Sequence, residues 1–499
     1  MLENFLTGTS ALFGDPVSIG IFIFGVIGGM LFGAIPGVSM LTLAAILLPF
    51  SAGLEPAQGV MLFAVIYCTG TYGGAITAIL FNIPGAPENA PTAFDGYPMT
   101  KKGMAGKAVG AAVLCSAVGG TASALLMMTA TEPLAHWAIR NIGPPEIFAL
   151  VFFGLAVASS VGGKTIWKGW MSVLLGLMIA TIGQDPVGGI NRYNFGLADL
   201  AAGIAFVPAI LGFFAVSEIF IQAEKKAFGK YNAPKLNVDF PTFTELWAHK
   251  IAVVRSIVVG FFCGILPGIG ATLAAFMGYG EAVRWSKEKE KFGTGKLEGV
   301  ISSETANNAA TGAAMIPLLA LGLPGGALTA IMVAVFQFHD MEPGPLVFYN
   351  SPELIWVVFA AMFYANVSIL FIGLIETKTI LQLLRIPFTY LAPMILMLAS
   401  IGAYIGRGLV LDVVVMFGAG VLGFLLRRSG YSIAGIVLGI ILGKIGEQNF
   451  AQGMQMVHYD LVTYMSRPIC FILILAGAIT LGAGIYKALS SNRISQKQG

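Results

Sequence analysis

The stretch Phe32–Met40, "FGAIPGVSM", places a Pro-Gly pair inside an apolar run, and Cys263–Ala271, "CGILPGIGA", does the same again. Proline removes a backbone donor and glycine opens dihedrals closed to other residues, so each pair predicts a helix that stops and restarts. The surrounding composition sets the solvent. Over 499 residues, 57% are hydrophobic, only 11% are charged, and mean hydropathy is +0.83. A soluble domain carries about 25% charged residues. Apolar runs of membrane-crossing length recur at Ser18–Ile35, Ala57–Ile83, Ala198–Gln222, Pro352–Glu376 and Ser466–Lys487. They lack strand alternation, so the expected fold is an all-α polytopic membrane protein with Pro-Gly-broken helices or re-entrant hairpins.

Charge reports topology. All but five of the 28 basic residues fall into alternate loops, and the five exceptions are Arg140, Arg192, Arg407, Lys444 and Arg467. The richly basic set is expected to face the cytoplasm, which puts the N-terminus outside and the C-terminus inside. Without a basic tract interleaved with aromatics, nucleic acid is not expected as a partner. Cys68, Cys115, Cys263 and Cys470 stand far apart in apolar surroundings and read as packing residues. The first 16 residues carry no Lys or Arg, so the first apolar run is expected to be a retained segment.

Aligning Gly33–Ala45 with Gly264–Phe276 superposes Pro36-Gly37 on Pro267-Gly268 at an offset of 231. A second pair, Pro84-Gly85, matches Pro324-Gly325 at an offset of 240. Two kinds of motif in the same order point to an internal repeat. The loop after the first pair is neutral to acidic in one half (Ser51–Gln58) and basic in the other (Arg284–Lys296). After the second pair the bias reverses, from Met99–Lys107 to His339–Ser351. The expectation is two inverted structural repeats, residues 1–222 and 251–487, joined by a cytoplasmic linker at 223–250 and followed by a tail at 488–499. Such repeats, with broken helices meeting at the midplane, are the architecture of secondary transporters.

Half-helix N-termini attract anions and freed carbonyls suit cations, so paired breaks can hold a carboxylate and a cation together. Candidate binding residues are therefore Pro36, Gly37, Ser39, Asn82, Pro84, Gly85, Gly268, Thr272, Asn307, Asn308, Thr311, Pro324 and Gly325. The run Ser302–Gly312 places Glu304 with Asn307 and Asn308 beside an apolar stretch, and Na+ is expected near the two amides. The bland alternatives are kinks in packed helices and a solvated loop end. Gly85–Pro98 is too rich in Pro and polar residues to continue a helix, and Asp95, Gly96 and Tyr97 are expected in a loop. The four histidines lack metal spacing, and Phe292–Lys296 is not a phosphate-binding loop. No reactive constellation points to an enzyme.

The segments "GAIPGVSM", "YGGAITAILFNIPGAPENAPTAFDGYPMTKKGMAGKA" and "GILPGIGATLAAF…EGVISSETANNAATGAAMIPLLALGLPGGALTA" resemble the large membrane subunit of the tripartite tricarboxylate transporter family over nearly the whole chain. The resemblance implies a bacterial inner-membrane uptake system. Its implied partners are a small membrane subunit and an extracytoplasmic solute-binding protein delivering a carboxylate, with Na+ or H+ coupling and no cofactor. A channel or gradient-independent facilitator for small organic anions is the alternative. One departure stands out: small or hydroxylic residues are more usual where this chain has Glu88 and Asn89. A carboxylate facing the site would repel an anion, so either Glu88 points away or the substrate class is atypical.

Overall fold

The computed structural model describes residues 1–35, 39–161, 165–185, 187–224, 241–266, 270–383 and 388–495. Pro36, Gly37, Pro267 and Gly268 lie outside the described residues, as does most of the expected linker at 223–250. The chain runs through α1 (Leu2–Gly14), α2 (Pro16–Ala34), α3 (Met40–Ser51) and α4 (Pro56–Phe81) to a 3-10 turn at Pro87–Asn89. Next come α5 (Ala90–Lys101), α6 (Ala105–Asn141), α7 (Pro144–Val161) and α8 (Ile166–Ala180), then a small hairpin of β1 (Gly183–Gln184) and β2 (Asn191–Arg192). Helix α9 (Phe206–Ile210) continues through a π-helical stretch, Leu211–Val216, into α10 (Ser217–Glu224). The rest comprises α11 (Phe243–Ala248), α12 (Lys250–Ile265), α13 (Gly270–Trp285), α14 (Leu297–Leu321), α15 (Ala327–Phe338) and α16 (Val347–Asn350). It ends with α17 (Pro352–Leu383), α18 (Phe388–Ile405), α19 (Val410–Arg428), α20 (Ile433–Met456), α21 (Leu461–Met465) and α22 (Pro468–Ser495). Among the described residues, eight helices are long and apolar enough to cross a membrane. This is a multi-pass membrane protein.

Two helices form the centre. Every residue of α4 from Gln58 to Leu80, and of α14 from Gly299 to Ala320, is buried. Helix α4 packs against α2 and α17, and α14 against α6, α12 and α13. Small residues allow the close approach. A Cβ at Gly33 would sit 2.4 Å from the carbonyl oxygen of Gly70, and one at Gly264 would sit 2.6 Å from Cβ of Ala313. Between membrane helices, such van der Waals contact replaces the hydrophobic drive available in water. Around this centre, α20 packs on α7 and α8, α22 on α7, and α18 and α19 on the α9–α10 segment. Cys68, Cys115, Cys263 and Cys470 are buried and unpaired.

The helix ends explain why the breaks form. Helix α2 stops at Ala34, with Ile35 extended at φ −79°, ψ 118°, and α12 stops at Ile265, with Leu266 at φ −71°, ψ 121°. The residue before a proline is disfavoured in the helical region, so both helices end ahead of their Pro-Gly pairs. At the second pairs, Asn82 and Gly322 adopt left-handed φ of 56° and 73°. Behind them, the N–H of Ile83 donates to the carbonyl of Thr77 at 3.3 Å, and that of Leu323 to Pro317 at 3.1 Å. Both are the six-to-one closure of a left-handed C-cap, and their positions differ by 240.

Polar pairs fasten the ends. Asp15 caps α2, accepting from the N–H and hydroxyl of Ser18 at 2.8 and 2.7 Å, and Gln58 of α4 donates to it at 3.1 Å. These bonds, the Ser18 hydroxyl foremost, hold the Asp15 carboxyl below the ordinary carboxylate range. Lys107 at the start of α6 binds Glu245 of α11, and that hydrogen bond lowers the Glu245 carboxyl likewise. Three of the five basic exceptions are ion-paired: Arg192 with Glu447 at 2.5 Å, Arg467 with Glu146 at 2.5 Å, and Arg407 with Asp412.

Candidate functional site

The ends of the broken segments converge. Gly85 lies against the end of α2 and the middle of α4: its N–H donates to the Gly74 carbonyl at 3.3 Å. A Cβ there would stand 2.2 Å from the Gly33 carbonyl oxygen, a space that only glycine fits. In the second half, Gly325 packs on Ala314 of α14, 2.7 Å from its carbonyl oxygen by the same construction. The first residue of α13, Gly270, approaches Gly325, with its Cβ position 3.2 Å from the Gly325 carbonyl oxygen and 3.5 Å from the Tyr67 hydroxyl. Tyr67 belongs to α4, so its phenol reaches from the first half to the place where Gly270 and Gly325 meet.

A buried polar layer crosses the same region. Glu304 of α14 is fully buried and accepts hydrogen bonds from three elements. Thr92 of α5 donates to Oε1, Ser116 of α6 to Oε2 at 3.0 Å, and Asn307 of its own helix to Oε1 at 3.2 Å. The Thr92 and Ser303 hydroxyls lie 3.0 Å apart. Asn307 also donates to the Glu88 carbonyl at 3.3 Å, and Asn308 donates to Asn307 Oδ1 at 2.8 Å and to the Glu304 carbonyl at 3.1 Å. Thr311 donates to the Asn308 carbonyl at 2.8 Å and lies 3.8 Å from the Cys68 sulfur. Asn308 Oδ1 and Asn89 Oδ1 are buried without a hydrogen-bond partner. An unmet acceptor beside a carboxylate is the chemistry of a cation or of an incoming donor.

Glu88 occupies the 3-10 turn after Pro84-Gly85 and is buried at 7% exposure. Its Oε2 lies 3.5 Å from the hydroxyl of Thr272, near the start of α13. The carboxylate therefore points toward the second-half break. Neighbouring Asn89 is held by donation from Nδ2 to the Thr71 carbonyl at 2.8 Å.

Of the expected binding residues, Thr272 meets Glu88 and Asn307 reaches the turn after Pro84-Gly85; Asn308 and Thr311 bond along α14, and Gly85 and Gly325 each pack on a helix of their own half. Asn82 is exposed and serves as the left-handed cap of α4, and Ser39 stands at the N-cap of α3 without a side-chain cap bond. Pro36, Gly37 and Gly268 lie outside the described residues.

The expected loop at Asp95–Gly96–Tyr97 is instead helical, within α5. Pro91 sits at the permissive first turn, and burial of Thr92, Ala93, Asp95, Gly96 and Met99 outweighs the turn propensity of Asp-Gly. Asp95 Oδ1 accepts from the backbone N–H groups of Gly295 and Lys296 at 2.8 and 2.7 Å, and Oδ2 from the Tyr279 hydroxyl at 2.9 Å. Asp95 is a latch between α5 and the segment entering α14. Sequence reasoning also left out Ser116, Thr92 and Tyr67. A single hydroxyl or phenol in an apolar run carries no signal of a partner far away in sequence.

Among the described residues, no group of three or more His, Cys, Asp or Glu side chains could hold a metal ion. A surface hollow of about 500 Å³ lies along α6 at Met1, Met128, Thr129, Glu132, Pro133 and His136, and none of the residues gathered at the breaks lines it.

Comparison with known proteins follows the same lines. The "uncharacterized 52.8 kDa protein in TAR-I ttuC′ 3′ region" of Agrobacterium vitis is 35% identical over 485 residues, covering 96% of this chain and 95% of that protein. A second protein of the same organism, "in TAR-II ttuC′ 3′ region", is 33% identical over 234 residues, 47% of this chain and 97% of its own length. No solved structure matches. The model of the tripartite tricarboxylate transporter TctA family matches residues 19–491, so the chain belongs to that family of large membrane transporter subunits, which is not an enzyme family.

Proposed function

We propose that this chain is the permease subunit of a binding-protein-dependent secondary transporter that imports a di- or tricarboxylate by ion-gradient-coupled alternating access. The observation that carries the reading is the contact between halves at the breaks: Glu88 with Thr272, and Tyr67 beside Gly270. Helix ends that leave backbone groups free at membrane depth need protein, water or ligand to meet them, and a buried polar layer stands beside them. Asn307, Asn308 and Thr311 would bind substrate or Na+, with the Pro84-Gly85 and Pro324-Gly325 loops supplying backbone groups.

On this reading the two halves form an inverted repeat. Helix ends recurring at an offset of 240 and the opposite charge bias of corresponding loops support it. The N-terminus lies outside and the C-terminus in the cytoplasm of a bacterial inner membrane. A small membrane subunit and an extracytoplasmic solute-binding protein complete the system. Reconstituted with both partners in vesicles, the protein is expected to accumulate labelled carboxylate only under an imposed Na+ or proton gradient. Uptake unaffected by collapsing both gradients would refute the coupling.

A further inference from the structure

Two carboxylates stand near the breaks, and their surroundings differ. Glu304 has donors from three elements and is complete within the protein. From other residues the Glu88 carboxyl has one hydrogen-bond partner, the Thr272 hydroxyl at 3.5 Å, beside its own backbone N–H, and its main chain is fixed by Asn307. From α4 the titratable group near it is Tyr67. From α14 the nearest is Glu304, reached through Asn307, and from α5 it is Asp95, already engaged by Tyr279, Gly295 and Lys296. Helix α13 presents Thr272. Among the described residues, no Lys, Arg or His forms an ion pair with Glu88.

We propose that Glu88 takes up one proton when a carboxylate substrate binds at the breaks, making the protein a proton-coupled carrier. This rests on the function proposed above. An ionised Glu88 facing an anionic substrate is a like-charge contact in a site of low dielectric. A proton on one Glu88 oxygen removes the charge and creates an O–H donor to the incoming carboxylate, a charge-assisted hydrogen bond. The proton comes from the loading side and is released when the substrate leaves, so charge and atoms balance without any other reactant. Linkage then fixes the pH dependence. On the alkaline side of the Glu88 titration, apparent affinity for a fully ionised substrate falls about tenfold per pH unit.

The test uses vesicles containing the full complex, with labelled succinate and citrate as probes, above about pH 7 where succinate is fully ionised. On the alkaline side of the Glu88 titration the wild-type KM is expected to rise about tenfold per pH unit, with a proton taken up per succinate there in a pH-dye measurement. Glu88→Gln, which cannot titrate, is expected to lose the pH dependence of the succinate KM and the accumulation driven by a proton gradient. Glu88→Asp, which can still carry a proton, is expected to keep the slope. A wild-type slope retained in Glu88→Gln, or wild-type accumulation under a Na+ gradient without proton uptake, overturns the proposal. The dye measurement on the wild type decides even if the Gln variant does not fold, since zero proton uptake also overturns it. Wild-type vesicles that exchange neither probe at any pH would overturn the function proposed above, and this inference with it.

Discussion

Replacing Gly85 by Ala tests whether the first-half break is held by backbone contact. The added Cβ would lie 2.2 Å from the Gly33 carbonyl oxygen and 2.6 Å from the Gly74 Cα. An unstrained carbon contact needs about 3.5 Å or more. Both obstructing atoms are backbone atoms of packed helices, so the loop itself must retreat by about 1 Å. That lengthens the Gly85 to Gly74 hydrogen bond, already 3.3 Å. Overpacking costs about 1 to 3 kcal/mol and the bond about 1 kcal/mol, so a loss of about 2 to 4 kcal/mol is expected. Gly280 in α13 is the control, because nothing lies within 4 Å of its Cβ position. Gly280→Ala should gain about 0.5 to 1 kcal/mol from helix entropy. Denaturant titration in detergent, with succinate exchange in vesicles, reads both. Gly85→Ala unfolding within about 0.5 kcal/mol of Gly280→Ala would show that the loop is not held in this way.

Two further outcomes follow from the polar network. Asp95→Ala leaves the N–H groups of Gly295 and Lys296 and the Tyr279 hydroxyl without their acceptor. A stability loss of about 3 kcal/mol or more is expected by denaturant titration, with faster proteolysis between α13 and α14, while Asp95→Asn keeps one acceptor and is milder. Glu304→Ala orphans three buried donors and should cost about 3 to 5 kcal/mol in the same titration. Glu304→Gln should stay within about 2 kcal/mol, because the Ser116 hydroxyl can rotate to accept from the new amide.

The hydrophobic runs made most helices legible. The expected apolar run Ser18–Ile35 became α2, Ala57–Ile83 became α4, and Pro352–Glu376 lies within α17. The breaks were legible too, because the rule about the residue before proline acts locally, and α2 and α12 both stop where it says. Elsewhere local rules lost to distant contacts. The run Ala198–Gln222 becomes continuous helix only from Phe206, after a turn in which Gly203 takes φ 79°. Helix α5 survives Pro91, Asp95-Gly96 and Pro98 because Asp95 and Thr92 find partners on α13, α14 and the loop joining them. The Ser302–Gly312 run announced a site through its residue types, but Glu304's other partners, Thr92 and Ser116, are invisible without the fold. Glu88 was legible as an anomaly, and only the three-dimensional arrangement could say that it faces Thr272.

The latch at Asp95 has a mechanical consequence. With Glu304 bonded to α5 and α6, Asn307 to the 3-10 turn and Asp95 to the entrance of α14, these elements are cross-braced to one another. On the alternating-access reading proposed above, a stroke that keeps these bonds moves α5, α6, the 3-10 turn and α14 together, and the packing that changes is sought where they meet the surrounding helices.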